Sequence, residues 1–110
     1  MTTEHPPWII TAQELKSCLD SIVLVDVREP IEFVEARIDR GKLIPLGELS
    51  LRAPDELEKD SDIVIYCAHG RRSLQAVMAL KVLGFKKLRS LEGGLEAWEN
   101  EGGPVIKKTV

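Results

Sequence analysis

The 110-residue chain has a formal net charge of −3, with 44% hydrophobic and 30% charged residues. This is ordinary globular composition, enough for one domain with one core and too short for two, so residues 1–110 are read as a single domain. The acidic balance gives no general attraction to nucleic acid or to an anionic membrane, and no apolar run approaches the roughly 18 residues of a membrane-crossing helix.

The first residues, Met1 to Trp8, include Glu4, His5, Pro6 and Pro7. They lack a basic stretch followed by an apolar one and are not read as a secretory signal; residues 1–7 are expected to be a flexible N-terminal segment. Trp8-Ile9-Ile10 is a short strand candidate. Thr11 and Glu14 have the spacing of a capping box, which starts a helix running to about Asp20. Ile22 to Val25 is a continuous apolar, mostly β-branched run that ends at Asp26. Pro30 opens a second helix through Ala36. Leu43-Ile44-Pro45-Leu46 reads as a short strand whose proline places it at an edge or a strand end. Residues 55–62, rich in Asp and Glu, read as a solvated helix face and connector.

Ile63 to Tyr66 is the next strand. Leu74 to Leu83 is apolar almost all round and is expected to form a deeply packed helix, stopped by Gly84. Leu88 and Leu91 flank a fifth strand, and Gly93 and Gly94 precede a last helix from Leu95 to about Asn100. Strand and helix patterns alternate throughout. The central strands are apolar on both faces, as in a parallel sheet covered by helices on both sides. The fold class expected is therefore α/β, an open parallel sheet of about five strands.

In such sheets ligands bind beyond the carboxyl ends of the strands, where Asp26 and Cys67 both stand. The stretch Cys67-Ala68-His69-Gly70-Arg71-Arg72-Ser73 carries the chemistry. A cysteine at the mouth of a strand, facing a helix start, meets inward-pointing amides and a favourable dipole. Such surroundings lower a thiol pKa from about 8.5 to roughly 3.5–7.5. Gly70 lets the loop turn its amides inward, and Arg71 and Arg72 are placed to recruit an anion. His69 is a polar loop residue within reach of proton transfer. The second cysteine, Cys18, lies on an amphipathic helix and is read as packing. The two cysteines form no CxxC pair and have no zinc-ligand spacing, so no metal or other cofactor is expected; free thiols in a reducing cytoplasm are the simplest reading.

These segments together resemble a single-domain rhodanese, of the sulfurtransferase family. Cys67 to Ser73 resembles the family's active-site loop, in which the cysteine opens a six-residue loop. Asp26-Val27-Arg28-Glu29 followed by Glu32-Phe33 resembles its upstream motif, and Leu91-Glu92-Gly93-Gly94-Leu95 with Trp98 its C-terminal motif. The chain departs from the family's Gly-His-Ile-Pro-Gly-Ala, having Ala36-Arg37-Ile38-Asp39-Arg40-Gly41, a change expected to reshape one wall of the site and its substrate preference.

The resemblance implies a double displacement. Cys67 takes a sulfane sulfur from a donor such as thiosulfate and passes it to a thiol or cyanide. Cys67 would be the catalytic residue, with Ala68, His69, Gly70, Arg71, Arg72 and Ser73 binding substrate and Asp26 and Arg28 bracing the site. Partners implied are the small-molecule donor and acceptor or a sulfur-relay protein. Whether the chain is a monomer or a homodimer stays open. Two other readings compete with this one. In a phosphatase or arsenate reductase on the same scaffold, the related dual-specificity phosphatases place arginine seventh from the cysteine, whereas here Arg72 is sixth and Ser73 seventh. A non-catalytic interaction module of this family commonly lacks the cysteine.

Overall fold

Thr11 and Glu14 decide where the first helix begins. The Thr11 hydroxyl accepts the Glu14 amide at 3.1 Å, and the Glu14 carboxylate accepts the Thr11 amide at 2.9 Å. Two orphan donors of the helix start are thereby satisfied. The computed structural model describes residues 4–109; of the expected flexible segment, Met1 to Thr3 lie outside these residues, and His5 Nε2 sits 2.9 Å from Glu14 Oε1.

In chain order the elements are β1 (Ile9–Ile10), α1 (Ala12–Cys18), a 3-10 turn (Leu19–Ser21), β2 (Val23–Asp26), α2 (Pro30–Glu35), β3 (Ala36–Arg37) and β4 (Lys42–Leu43). After a 3-10 turn at Leu46–Glu48 come α3 (Leu49–Glu56), β5 (Asp62–Tyr66), α4 (Arg71–Val82), β6 (Lys87–Leu91), α5 (Gly94–Asn100) and β7 (Ile106–Lys107). Five strands form one parallel sheet in the order β1-β6-β5-β2-β4. The proline-bearing segment is the edge strand, shortened to two residues, with Pro45 beyond its end. β3 and β7 pair antiparallel as a separate ribbon.

Side chains along β5 alternate between two cores. Ile63, Ile65 and Cys67 face the layer made with Leu49 and Ala53 of α3 and Ala76, Val77 and Leu80 of α4. Val64 and Tyr66 face the layer made with Leu15 of α1 and Leu95 and Trp98 of α5. Each fully buried aliphatic side chain contributes about 1.5–3 kcal/mol of burial free energy, so the central strand is the best-anchored element of the sheet. The same period of two sends Cys67 toward α4. No helix among the described residues is long and apolar enough to cross a membrane.

Three expectations need correction. α4 starts at Arg71 rather than Leu74, and it is not packed all round: Leu74, Met78 and Val82, spaced four apart, are 39%, 67% and 87% exposed. Its neighbours α3 and β6 cover only one side of it, and residues four apart share the uncovered stripe. α2 stops at Glu35 because Ala36 turns extended to pair with Lys107. The departing segment 36–41 lies on the face away from Cys67: Ile38 is buried in the Tyr66 core and donates its amide to the Tyr66 hydroxyl at 3.1 Å. Arg40 takes a left-handed φ of 75° there, at the position where the family pattern has glycine.

Candidate active site

Cys67 follows the last residue of β5, and α4 begins four residues later. The turn between them depends on Gly70, whose φ of 105° is a left-handed conformation and whose α-carbon region lies against the Gly93 amide. The turn aims donors at one atom. The Gly70 amide lies 3.1 Å from Cys67 Sγ and the Ser73 amide 3.4 Å, while Ser73 Oγ lies 3.5 Å away. The sulfur is thus at the start of α4, where unpaired amides and the helix dipole favour negative charge. Burial pushes the Cys67 thiol up. The Ser73 hydroxyl and the amides of Ser73, Gly70 and His69 outweigh it, so the pKa lies below the ordinary thiol value.

A second turn holds the loop from behind. Leu95 and Glu96, in the first turn of α5, donate their amides to the carbonyls of Cys67 and Ala68 at 2.8 and 3.2 Å. Gly94 permits this approach, because a β-carbon there would strike those two carbonyl oxygens. The paired glycines after β6 therefore position the cysteine loop.

Asp26 and Arg28 form a buried ion pair beside Tyr66. The guanidinium donates to both carboxylate oxygens, with Nη2 2.7 Å from Oδ2, and the Arg28 amide donates to Oδ1 at 2.9 Å. Arg28 also donates to the Ala36 carbonyl at 2.6 Å and lies 5.4 Å from the Tyr66 ring centre. The pair is buried beside Tyr66, the residue immediately before the cysteine, with its carboxylate oxygens held by Arg28 Nε, Nη2 and amide.

The two loop arginines differ. Arg72 grips Glu32 of α2 with both forks, at 2.8 and 2.9 Å. This bidentate bond, helped by smaller contributions from the Glu29 amide, holds the Glu32 carboxyl well down, at about 2, against the opposing effect of burial. Arg71 is exposed and makes no ion pair among the described residues. His69 is exposed, and with Ala68, Leu95, Glu96 and Glu99 it lines a shallow groove beside the loop. Cys18 is a free, partly buried thiol distant from this loop in the fold, packed against the α1–α5 core. No group of three His, Cys, Asp or Glu that could hold a metal occurs among the described residues.

Sequence reasoning missed Ser90, Glu32 as the partner of Arg72, and the direct contact of Ser73 with the sulfur. Ser90 is buried, with its Oγ 2.6 Å from Ser73 Oγ. The available signal was periodicity: Leu88 faces α4, so Ser90 two residues on does too, a polar residue at an inward position.

Fold and loop together define an α/β protein that seats a cysteine sulfur on backbone amides at the carboxyl end of its central strand. The chain belongs to the rhodanese-like domain family, whose model matches residues 11–101. It is 36% identical over 87 residues to a sulfurtransferase of Allochromatium vinosum, covering 79% of this chain and 80% of that one. A putative sulfur carrier protein of Bacillus subtilis, YrkF, is 40% identical over 79 residues, covering 72% of this chain and 42% of YrkF. The crystal structure of a rhodanese-related protein from Thermoplasma volcanium superposes with a TM-score of 0.81 at 37% identity, covering 89% of this chain and 96% of that one.

Proposed function

We propose that this protein is a sulfurtransferase that carries sulfane sulfur on Cys67. The observation that carries the reading is the position of Cys67 Sγ, within 3.1–3.4 Å of the Gly70 and Ser73 amides at the start of α4. With thiosulfate as donor, the Cys67 thiolate attacks the sulfane sulfur. A new sulfur–sulfur bond forms, the bond to the sulfonate sulfur breaks, and sulfite leaves with the electron pair. An acceptor thiolate, or cyanide, then attacks the outer sulfur of the persulfide and Cys67 thiolate departs. Loop amides stabilise the anionic sulfur in both steps.

Arg71, exposed beside the loop, is the cation that recruits an anionic donor, whereas Arg72 anchors α2 through Glu32. Loop length speaks against phosphoryl chemistry, since the sixth position holds Arg72, paired with Glu32, and the seventh holds Ser73. The acceptor proposed is a small thiol or a protein relay partner, a role in keeping with the name of the YrkF relative. The setting proposed is a reducing cytoplasm, which would keep both thiols free.

Intact-mass measurement after incubation with thiosulfate tests the reading. One added sulfur is expected on the wild type and on Cys18→Ser, none on Cys67→Ser, and loss of that sulfur on adding cyanide. A sulfur retained in Cys67→Ser, or none acquired by the wild type from thiosulfate or a persulfide donor, would overturn it.

A further inference from the structure

Ser90 is a buried polar side chain, 1% exposed, that the reaction above does not use. In the parallel pairing of β5 with β6 it lies opposite Ile65, two residues before Cys67. Its hydroxyl therefore faces α4 just below the sulfur. Ser90 Oγ lies 2.6 Å from Ser73 Oγ, which in turn lies 3.5 Å from Cys67 Sγ.

The Ser73 hydroxyl has one proton and two further acceptors in reach, the sulfur and the Gly70 carbonyl at 3.1 Å. That carbonyl already accepts the Leu74 amide at 3.3 Å. The Ser90 hydroxyl has no side-chain partner other than Ser73 among the described residues. Either hydroxyl can donate across this 2.6 Å contact; the arrangement that satisfies the buried Ser90 proton has Ser90 donating to Ser73 Oγ.

We propose that Ser90 is a positioning residue: by donating to Ser73 Oγ, it leaves the Ser73 proton free to turn onto Cys67 Sγ when that sulfur is an anion. In the thiol form, the Cys67 S–H and the Ser90 O–H both donate to Ser73 Oγ, and Ser73 donates to Gly70. On ionisation the thiol proton leaves to solvent, the Ser73 hydroxyl rotates to the sulfur, and the Ser90 bond is kept. The serine protons stay on their own oxygens. Arg72, in the first turn of α4, is paired with Glu32, and the Asp26–Arg28 pair stands at the neighbouring strand end; neither contacts Ser90.

The inference rests on Cys67 being the reacting group, but thiolate formation is measurable whether or not sulfur is transferred. In a Cys18→Ser background, the rate of Cys67 alkylation by iodoacetamide is followed from acid to alkaline pH. Ser90→Ala is expected to move the midpoint of this profile to higher pH and to slow alkylation below it by roughly two- to fivefold, one weakened hydrogen bond offset in part by the greater reactivity of a more basic thiolate. In a Ser73→Ala background the same change should have no further effect. Circular dichroism checks the fold. Should Ser90→Ala not fold, Ser90→Thr and Ser90→Val carry the test, being alike in shape and different in the hydroxyl. Thr should keep the wild-type midpoint and Val should shift it. A folded Ser90→Ala or Ser90→Val with the wild-type midpoint, or a Thr variant shifted as far as Val, overturns the inference. Normal sulfur loading with an unshifted midpoint would sink the role of Ser90 alone. Failure of the wild type to load sulfur would sink the sulfurtransferase reading and leave the alkylation result standing.

Discussion

At the carboxyl end of the sheet, the backbone of the Cys67 loop is held by the α5 amides and by Gly94, which has no room for a β-carbon, beside the buried Asp26–Arg28 pair. At the amino end, where α4 runs out and β6 begins, the packing is looser. Met78 and Val82 face outward there, and Trp8, Val77, Met78 and Leu88 line an open groove. One helix spans both regions. Its first turn has Ser73 fully buried and Arg72 paired, and its last turn ends in an 87% exposed valine. The proposed chemistry asks for a fixed sulfur at one end and nothing comparable at the other, and the same helix is constrained along its length to different degrees.

Two glycines test this contrast most strongly. Gly94 and Gly84 both take positive φ, 61° and 97°. A β-carbon on Gly94 would strike the carbonyls of Cys67 and Ala68, whereas at Gly84 it would meet only the flexible Lys59 side chain. Backbone strain alone costs about 1–2 kcal/mol, and that is the loss expected for Gly84→Ala. Gly94→Ala adds an overpacking cost of about 1–3 kcal/mol and displaces the loop, so sulfur loading should fall with it. Urea denaturation of both variants checks the difference. Equal losses, or a stable Gly94→Ala with normal loading, would break the comparison.

The Arg72–Glu32 pair sets a smaller effect with a definite pH signature. Its carboxyl titrates near 2 in the folded protein against an ordinary 4.5. The folded value is depressed, so the stabilisation is present above 4.5 and is lost as pH falls from there toward 2. Both side chains are about one-third exposed, 34% and 31%, and screening limits the contribution to about 0.5–1 kcal/mol. Glu32→Gln should lower stability by that amount at neutral pH, match the wild type near pH 2, and flatten the acid limb between. A Glu32→Gln melting curve parallel to the wild type at every pH would show that the pair does not fasten α2 to α4.

Local features of this molecule were legible in the sequence, and relations across the chain were not. The cysteine loop could be read because a strand end, a glycine and a helix start lie within a few residues of one another. The pairing of Arg28 with an acidic neighbour could be read because Asp26 is two residues away. The alternation of elements led directly to the parallel sheet. Glu32 lies forty positions from Arg72, and nothing in a single sequence joins them. Ser90 is a small polar residue in a strand, and only the register of β6 against β5 puts it beside Ser73. α3 went unread because Leu49–Glu56 carries Pro54 and few buried positions. β3 and β7 are two residues each, too short for any period to show.

α4 departs from its sequence pattern for a different reason: apolar character is not burial. Hydrophobicity shows what a residue tolerates, while the neighbouring layer decides what it meets. The smallest prediction follows from that distinction. Met78→Gln and Val82→Gln place polar groups on a stripe the sequence presents as core, yet these positions are 67% and 87% exposed. No buried contact is lost and no cavity opens. Glutamine is as good a helix former as methionine and better than valine, so each change should stay within about 0.5 kcal/mol of the wild type. Both sites are on the last two turns, away from Cys67, so sulfur loading should be unchanged as well. Chemical denaturation with intact-mass loading measures both quantities. A loss above about 1 kcal/mol at either position would mean that this face is covered in solution and that the looseness of the amino end does not hold for the protein as it exists there.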